Sequence, residues 1–209
     1  ILNKESIHIT AIDIDRDNIS YLQKTFDGPA EYDFVQDDIL RSNFAFLDSN
    51  DHRIVGNLPY NISTQIILKL INYFNQIKDM HFLIQREVAE KITGSPGSKD
   101  WGKLGIKLSA FFQTEILFDV PPEAFDIKPK VTSSFIRMSP LTKSLVTDDE
   151  LKNFFEIVDL SFMSRRKNIK NNLKSMKLDW ESLQIDNQVR PEDLSLESYL
   201  KIAREIAKI

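Results

Sequence analysis

At 209 residues, 42% hydrophobic and with a formal net charge of −4, the chain is long enough to bury one α/β core and a small appended domain. The acidic balance excludes wholesale polyanion binding, so any contact with nucleic acid has to come from a local basic patch. The lack of cysteine excludes disulfides and thiolate chemistry and leaves the redox compartment open. No apolar run reaches the roughly eighteen residues of a membrane span, and the opening Ile1-Leu2-Asn3-Lys4-Glu5 carries no signal pattern, so a cytoplasmic protein is expected.

His8 to Ile14 alternates apolar with polar residues and ends in Asp13 and Asp15, which predicts a strand followed by a helix from Asp17 to Phe26, broken at Gly28-Pro29. Glu31 to Gln36 predicts a second strand ending at Asp37-Asp38, and Arg53 to Gly56 a third that runs into Asn57-Leu58-Pro59-Tyr60. Ser63 is then expected to cap an amphipathic helix carrying Ile66, Ile67, Leu70, Ile71 and Phe74. Met80 to Ile84 predicts a buried strand and Arg86 to Ile92 another helix. This alternation, with acids and turns at the strand ends, predicts a Rossmann-like, doubly wound α/β fold whose ligands sit beyond the carboxyl ends of the strands.

The pattern changes after Ile92. Gly94 to Gly102 lacks the Gly-Lys-Ser/Thr ending of a phosphate loop and reads as a mobile substrate loop, with Trp101 a candidate RNA contact. A helix over Lys103 to Phe112 follows. Strands at Glu115 to Val120 and Val131 to Met138 then close the sheet as an antiparallel hairpin. Leu141 to Thr147 reads as a linker, and beyond it only helical patterns remain, over Asp148 to Met163, Arg165 to Met176 and Leu196 to Ile209. The expected division is a Rossmann-like domain over residues 1–144 and a small helical domain over 145–209. Within the latter, Arg165, Arg166, Lys167, Lys170, Lys174 and Lys177 are uninterrupted by any acid, while Ile169, Leu173 and Met176 recur at helical spacing. One face can therefore pack while the other presents positive charge, either to RNA or simply to water. His8, His52 and His81 are scattered, and no metal site is expected.

The segment that carries chemistry is Asn57-Leu58-Pro59-Tyr60. An exocyclic adenine amine is a poor nucleophile because its lone pair is delocalised into the ring. Acceptors aimed at both N–H groups draw that pair out of the ring plane, and an aromatic face holds the base still. The Asn57 side-chain oxygen and the Leu58 carbonyl can be those acceptors, Pro59 stiffens the turn, and Tyr60 can supply the face. An ordinary strand-to-helix turn has the same composition. Asp13 and Asp37, at successive strand ends, could take a ribose diol and an adenine amino group, although each alone also reads as a cap or turn residue.

The segments Ala11-Ile12-Asp13-Ile14-Asp15, Gln36-Asp37, Gly56 to Ser63, Gln85-Arg86-Glu87-Val88, Val120-Pro121-Pro122 with Phe125, and Pro129-Lys130-Val131 together resemble the rRNA adenine N6,N6-dimethyltransferases over essentially the whole chain. Ser98 to Leu104, Arg165-Arg166-Lys167 and Arg190-Pro191-Glu192 resemble the small-subunit type more than the methylases of large-subunit RNA. The resemblance implies S-adenosylmethionine as cofactor, bound by Asp13, Ile14, Asp37, Asp38 and Asn57. It implies that Asn57, Leu58, Pro59 and Tyr60 hold the target adenine, with Phe125 covering its other face. RNA contacts fall to Arg165, Arg166, Lys167, Lys170 and Lys103. The implied substrate is a pair of adjacent adenosines near the 3′ end of small-subunit (16S) rRNA, in a pre-assembled ribosomal particle and acted on by a monomer. Ile127 and Lys103 depart from the family's usual proline and arginine. Such proteins open with a strand and a glycine-rich turn about 20 residues before the first acid, and no glycine precedes Gly28; that part of the cofactor site is expected to lie before Ile1. A non-catalytic RNA-binding assembly or transcription factor on the same scaffold, and an adenine-N6 methyltransferase of large-subunit RNA, are the alternatives.

Overall fold

The structure, a computed structural model, describes residues 8–26, 31–48, 51–164 and 166–206. They fall into two units divided between Phe46 and Leu47.

In the first unit, β1 (His8–Asp13) pairs in parallel with β2 (Glu31–Gln36), in register from His8 opposite Glu31 to Asp13 opposite Gln36. Between them runs α1 (Arg16–Thr25), capped by the Asp15 side chain, which accepts from the Asp17 N–H. The helix ends at Phe26, whose ring meets Tyr32 at 5.8 Å, and Tyr32 in turn stacks on Phe34 at 5.7 Å.

The second unit holds a four-stranded sheet in the order β3-β4-β6-β5, formed by β3 (His52–Asn57), β4 (Ile77–Gln85), β5 (Phe112–Val120) and β6 (Ser133–Pro140). β3 and β4 are parallel, and the closing pair is antiparallel, as the sequence predicts. Alternate residues of β4, Met80, Phe82 and Ile84, are at most 1% exposed and meet the equally buried Ile136 and Met138 of β6. α2 (Ser63–Lys69) buries Ile66 and Ile67, and against the sheet pack α3 (Arg86–Thr93) and α4 (Lys103–Ser109), which bury Ile92 and Ile106. Helices alone follow β6: α5 (Asp148–Ser161), the single turns α6 (Ile169–Asn172) and α7 (Trp180–Leu183), and α8 (Leu196–Ile206). They belong to the same compact unit as the sheet. The buried Lys107 of α4 reaches Asp159 of α5 at 2.9 Å, and α8 holds α5 through Arg204 and Glu150 at 2.9 Å.

Four sequence expectations change. Ser63 does not cap α2; it is the first helical residue, fully buried, and its hydroxyl donates back to the Tyr60 carbonyl at 3.3 Å. α2 tightens into a 3-10 stretch over Leu70–Gln76, where Tyr73 leaves helical geometry. The basic helix expected from Arg165 shrinks to α6. The Asn168 side chain takes the Asn171 N–H, and the Asn172 amide bonds the carbonyls of Ser164 and Lys167, so two asparagines draw the backbone into caps and turns instead of a continuous helix. Finally, Trp101, the candidate RNA contact of the loop after α3, is packed inward, while Ser95, Pro96, Gly97 and Lys99 of that loop are exposed. Trp101 is 4% exposed and donates its indole N–H to the Leu194 carbonyl at 2.8 Å, and Gly97, at φ +82°, donates to the Glu192 carbonyl at 2.9 Å.

Candidate functional site

In the second unit one edge of the sheet collects the carboxyl ends of β3, β4 and β5 and the first residues of β6. Asn57 ends β3 and is exposed. The Leu58 N–H donates to the Leu83 carbonyl of β4 at 3.1 Å, which carries the ladder one residue past the strand and fixes the direction of the next peptide. Leu58 itself is buried, and its side chain explains Gly56: a Cβ there would lie 3.0 Å from Leu58 Cδ2. The Ile62 N–H closes the turn on the Pro59 carbonyl at 3.1 Å and starts α2. Two acceptors are left without a partner among the described residues, the Asn57 side-chain oxygen and the Leu58 carbonyl. They belong to consecutive residues at the sheet edge.

Tyr60 is half-buried, and its hydroxyl lies 2.6 Å from Ser133 Oγ at the start of β6. Nothing in the local sequence signals this pair, because its members are 73 residues apart. Phe125 follows the 3-10 turn Pro122–Ala124 after β5, with its N–H on the Pro122 carbonyl at 3.2 Å, and it is also half-exposed. Beside the turn, a cleft of about 470 Å³ is lined by Gln85, Arg86, Glu90, Lys130 and Thr132, among others. Arg86 is held there by Glu90 at 3.0 Å and Asp119 at 3.2 Å, a clamp that sequence reasoning missed.

In the first unit Asp13 and Asp37 meet at adjacent strand ends, and the Asp37 N–H donates to the Asp13 carbonyl at 3.0 Å. The Asp13 carboxylate accepts from the Asp15 N–H at 2.8 Å and the Asn18 amide at 3.0 Å. A carboxylate has about four lone-pair sites, so both of these oxygens can take a further hydroxyl. Asp37 accepts the Asp38 N–H through Oδ1, and its Oδ2 has no partner among the described residues. Ile14 beside them is 68% exposed, an apolar side chain left in water at a strand end. These residues suit the hydroxyls, amine and flat base of a nucleoside. Asp38 differs: its carboxylate takes the Leu40 N–H at 2.9 Å and lies 3.6 Å from Arg41, which shapes the turn after β2.

Of the expected RNA-facing residues, Arg166, Lys167 and Lys170 are exposed and have no acidic partner among the described residues, as are Lys174 and Lys177; Arg165 lies outside the described residues. Ile169 and Leu173 are buried beneath them, so the two-faced character survives the loss of the helix. Lys103 instead lies 3.5 Å from Asp159, which Lys107 also holds.

A family model described as ribosomal RNA adenine dimethylase matches residues 1–208. The chain is 38% identical over 208 residues to ribosomal RNA small subunit methyltransferase A of Neisseria gonorrhoeae, which covers 99% of this chain and 80% of that protein. It is also 38% identical, over 202 residues, to the protein of the same name from Dechloromonas aromatica, covering 96% and 78%. Among solved structures, a dimethyladenosine transferase from Plasmodium falciparum superposes with a TM-score of 0.78 at 20% identity, covering 95% of this chain and 82% of that one. The 23S rRNA methyltransferase ErmE superposes at 0.66 and 22% identity with the same coverage. These two share the fold.

Proposed function

Because the chain belongs to the ribosomal RNA adenine dimethylase family, we propose that its work is to methylate N6 of two adjacent adenosines near the 3′ end of small-subunit rRNA. It is an S-adenosylmethionine-dependent methyltransferase that acts on adenine in ribosomal RNA. The observation that carries the finer reading is the pair of unpartnered acceptors, Asn57 Oδ1 and Leu58 O, at the sheet edge that also bears Tyr60.

S-adenosylmethionine supplies an electrophilic methyl carbon on a sulfonium that leaves as a neutral thioether. Asn57 and Leu58 accept the two N–H groups of the target amine and pull its lone pair out of conjugation, so that the nitrogen can attack in line. As the new N–C bond forms, the amine gains positive charge and its bonds to these acceptors strengthen, which is where the site stabilises the transition state. The proton leaves only after attack, so no strong base is needed, and none of the residues at this edge is one. Tyr60 stacks on the base, a contact worth about 1–3 kcal/mol, and Phe125 covers the other face. Asp13 would hold the cofactor ribose and Asp37 its adenine amine, with Ile14 against the adenine and Asp38 shaping the turn that carries Asp37. Arg165, Arg166, Lys167, Lys170 and Lys103 contact the RNA backbone. The substrate is a pre-assembled small ribosomal particle in the cytoplasm, and the protein works as a monomer. No described helix is long and apolar enough to cross a membrane.

The test is transfer of labelled methyl groups from S-adenosylmethionine to under-methylated small subunits, with large-subunit RNA in parallel. Dimethyladenosine in the small-subunit RNA alone is the expected product. Label in the large-subunit RNA alone overturns the substrate assignment, and binding of the particle without any transfer replaces catalysis by a scaffold role.

A further inference from the structure

A stacking face needs only a ring, and phenylalanine would supply one, so the hydroxyl of Tyr60 requires its own account. It lies 2.6 Å from Ser133 Oγ. Ser133 is fully buried and sits where three strands meet, paired with Gln85 of β4 and with Val120 of β5. The residue before it is also tied down, because the Arg86 N–H donates to the Thr132 carbonyl at 3.0 Å. The backbone of the Asn57–Tyr60 turn does not need this tie: Leu58 is held by Leu83, Ile62 by Pro59, and the Tyr60 carbonyl by the Ser63 hydroxyl. What the Ser133 hydroxyl holds is the side chain.

We propose that Ser133 is a positioning residue for methyl transfer, whose buried hydroxyl fixes the Tyr60 ring and, through it, the target base relative to the acceptors of Asn57 and Leu58. The inference rests on the reading that Tyr60 stacks on that base. A contact at the phenolic oxygen lies on the long axis of the ring. It therefore stops the ring from swinging about Cα–Cβ, and because the phenolic O–H prefers the ring plane, it also biases the tilt. Base and ring move together when stacked, so a loose ring lets the amine drift from in-line geometry, where a displacement of about 1 Å can cost about a hundredfold in rate. Ground-state binding, spread over the phosphate contacts, is little affected.

The experiment compares the wild type with Ser133→Ala, Ser133→Thr, Tyr60→Phe and the double variant Ser133→Ala/Tyr60→Phe, measuring kcat and KM on under-methylated small subunits and the melting temperature of each. Ser133→Ala is expected to lower kcat about tenfold with KM changed less than about twofold, and Ser133→Thr, which keeps the hydroxyl, to recover most of that loss. Since each single change breaks the same bond, the double variant should turn over no more slowly than the slower single one. Wild-type kcat in both single variants overturns the inference. So do losses that multiply in the double variant, or a fall in melting temperature with kcat unchanged. If wild-type protein transfers no methyl group, the proposed function falls with it, whereas an active wild type and an indifferent Ser133→Ala remove this inference alone.

Discussion

Replacing Asn57 with Ala separates stability from chemistry because of where the side chain stands. It is exposed at the end of β3, with no hydrogen-bond partner among the described residues, so its removal breaks no bond of the folded protein. Surface substitutions of this kind stay within about 0.5 kcal/mol, which moves the melting temperature of a domain this size by about 1–2 °C. The transition state is another matter. The amine nitrogen becomes cationic as it attacks, and one of its two acceptors is gone; loss of one preorganised partner to developing charge costs about 2.7–4 kcal/mol, or about 100- to 1000-fold in kcat. Methyl transfer under single-turnover conditions reads this directly, with particle binding and thermal melting as controls. A kcat within about threefold of wild type, at unchanged melting temperature, would refute the two-acceptor argument. A drop of more than about 5 °C would show instead that Asn57 holds the turn together.

Three further outcomes test other parts of the structure. Arg166→Ala with Lys167→Ala should weaken RNA binding and reduce the slope of log K against log salt by about 1.4, at about 0.7 for each phosphate on a single strand; an unchanged slope makes the patch a solvated face. Trp101→Phe removes the indole bond to the Leu194 carbonyl and should destabilise by about 1 kcal/mol in denaturant titration while leaving RNA affinity alone, and a selective loss of affinity would return Trp101 to the RNA surface. The Glu150 carboxyl is held below its ordinary value of 4.5, chiefly by the Thr147 backbone N–H and then by Arg204, with burial opposing. Its stabilising contribution is thus complete above about pH 4.5 and is lost as pH falls through the lower folded value. Glu150→Gln keeps an acceptor for the Thr147 N–H but loses the charge, so it should lower the melting temperature at pH 7, and that difference should shrink as pH falls through the lower folded value; equal melting at pH 7 contradicts the charge argument.

Much of this was legible in the sequence because the signals were local. Alternation marked β1, short runs ending in acids or a turn marked β2 and β3, and a buried apolar run marked β4; Asp13 and Asp37 sat at their strand ends, and the Asn57 turn was expected at the strand end where it lies. What failed depended on competition or on distance. The run from Arg165 to Lys177 has helical spacing, yet Asn168 and Asn172 offer the backbone better partners than a helix does. Trp101 in a Gly/Ser/Pro loop gives no sign of a carbonyl 93 residues away that buries it. Ser63 has the composition of a cap, but the fully buried position it takes turns its hydroxyl back to Tyr60. The Tyr60–Ser133 bond and the Arg86 clamp join elements that only the sheet brings together.

The two bonds that seat the loop after α3, from Gly97 to Glu192 and from Trp101 to Leu194, both land within three residues of the short turn Pro191–Asp193. Loop and tail therefore form one heritable module, although some ninety residues of chain separate them. A chimaera that grafts the tail of a relative onto this protein should fold well only when it brings that relative's loop along, and drift in either segment is constrained by the other.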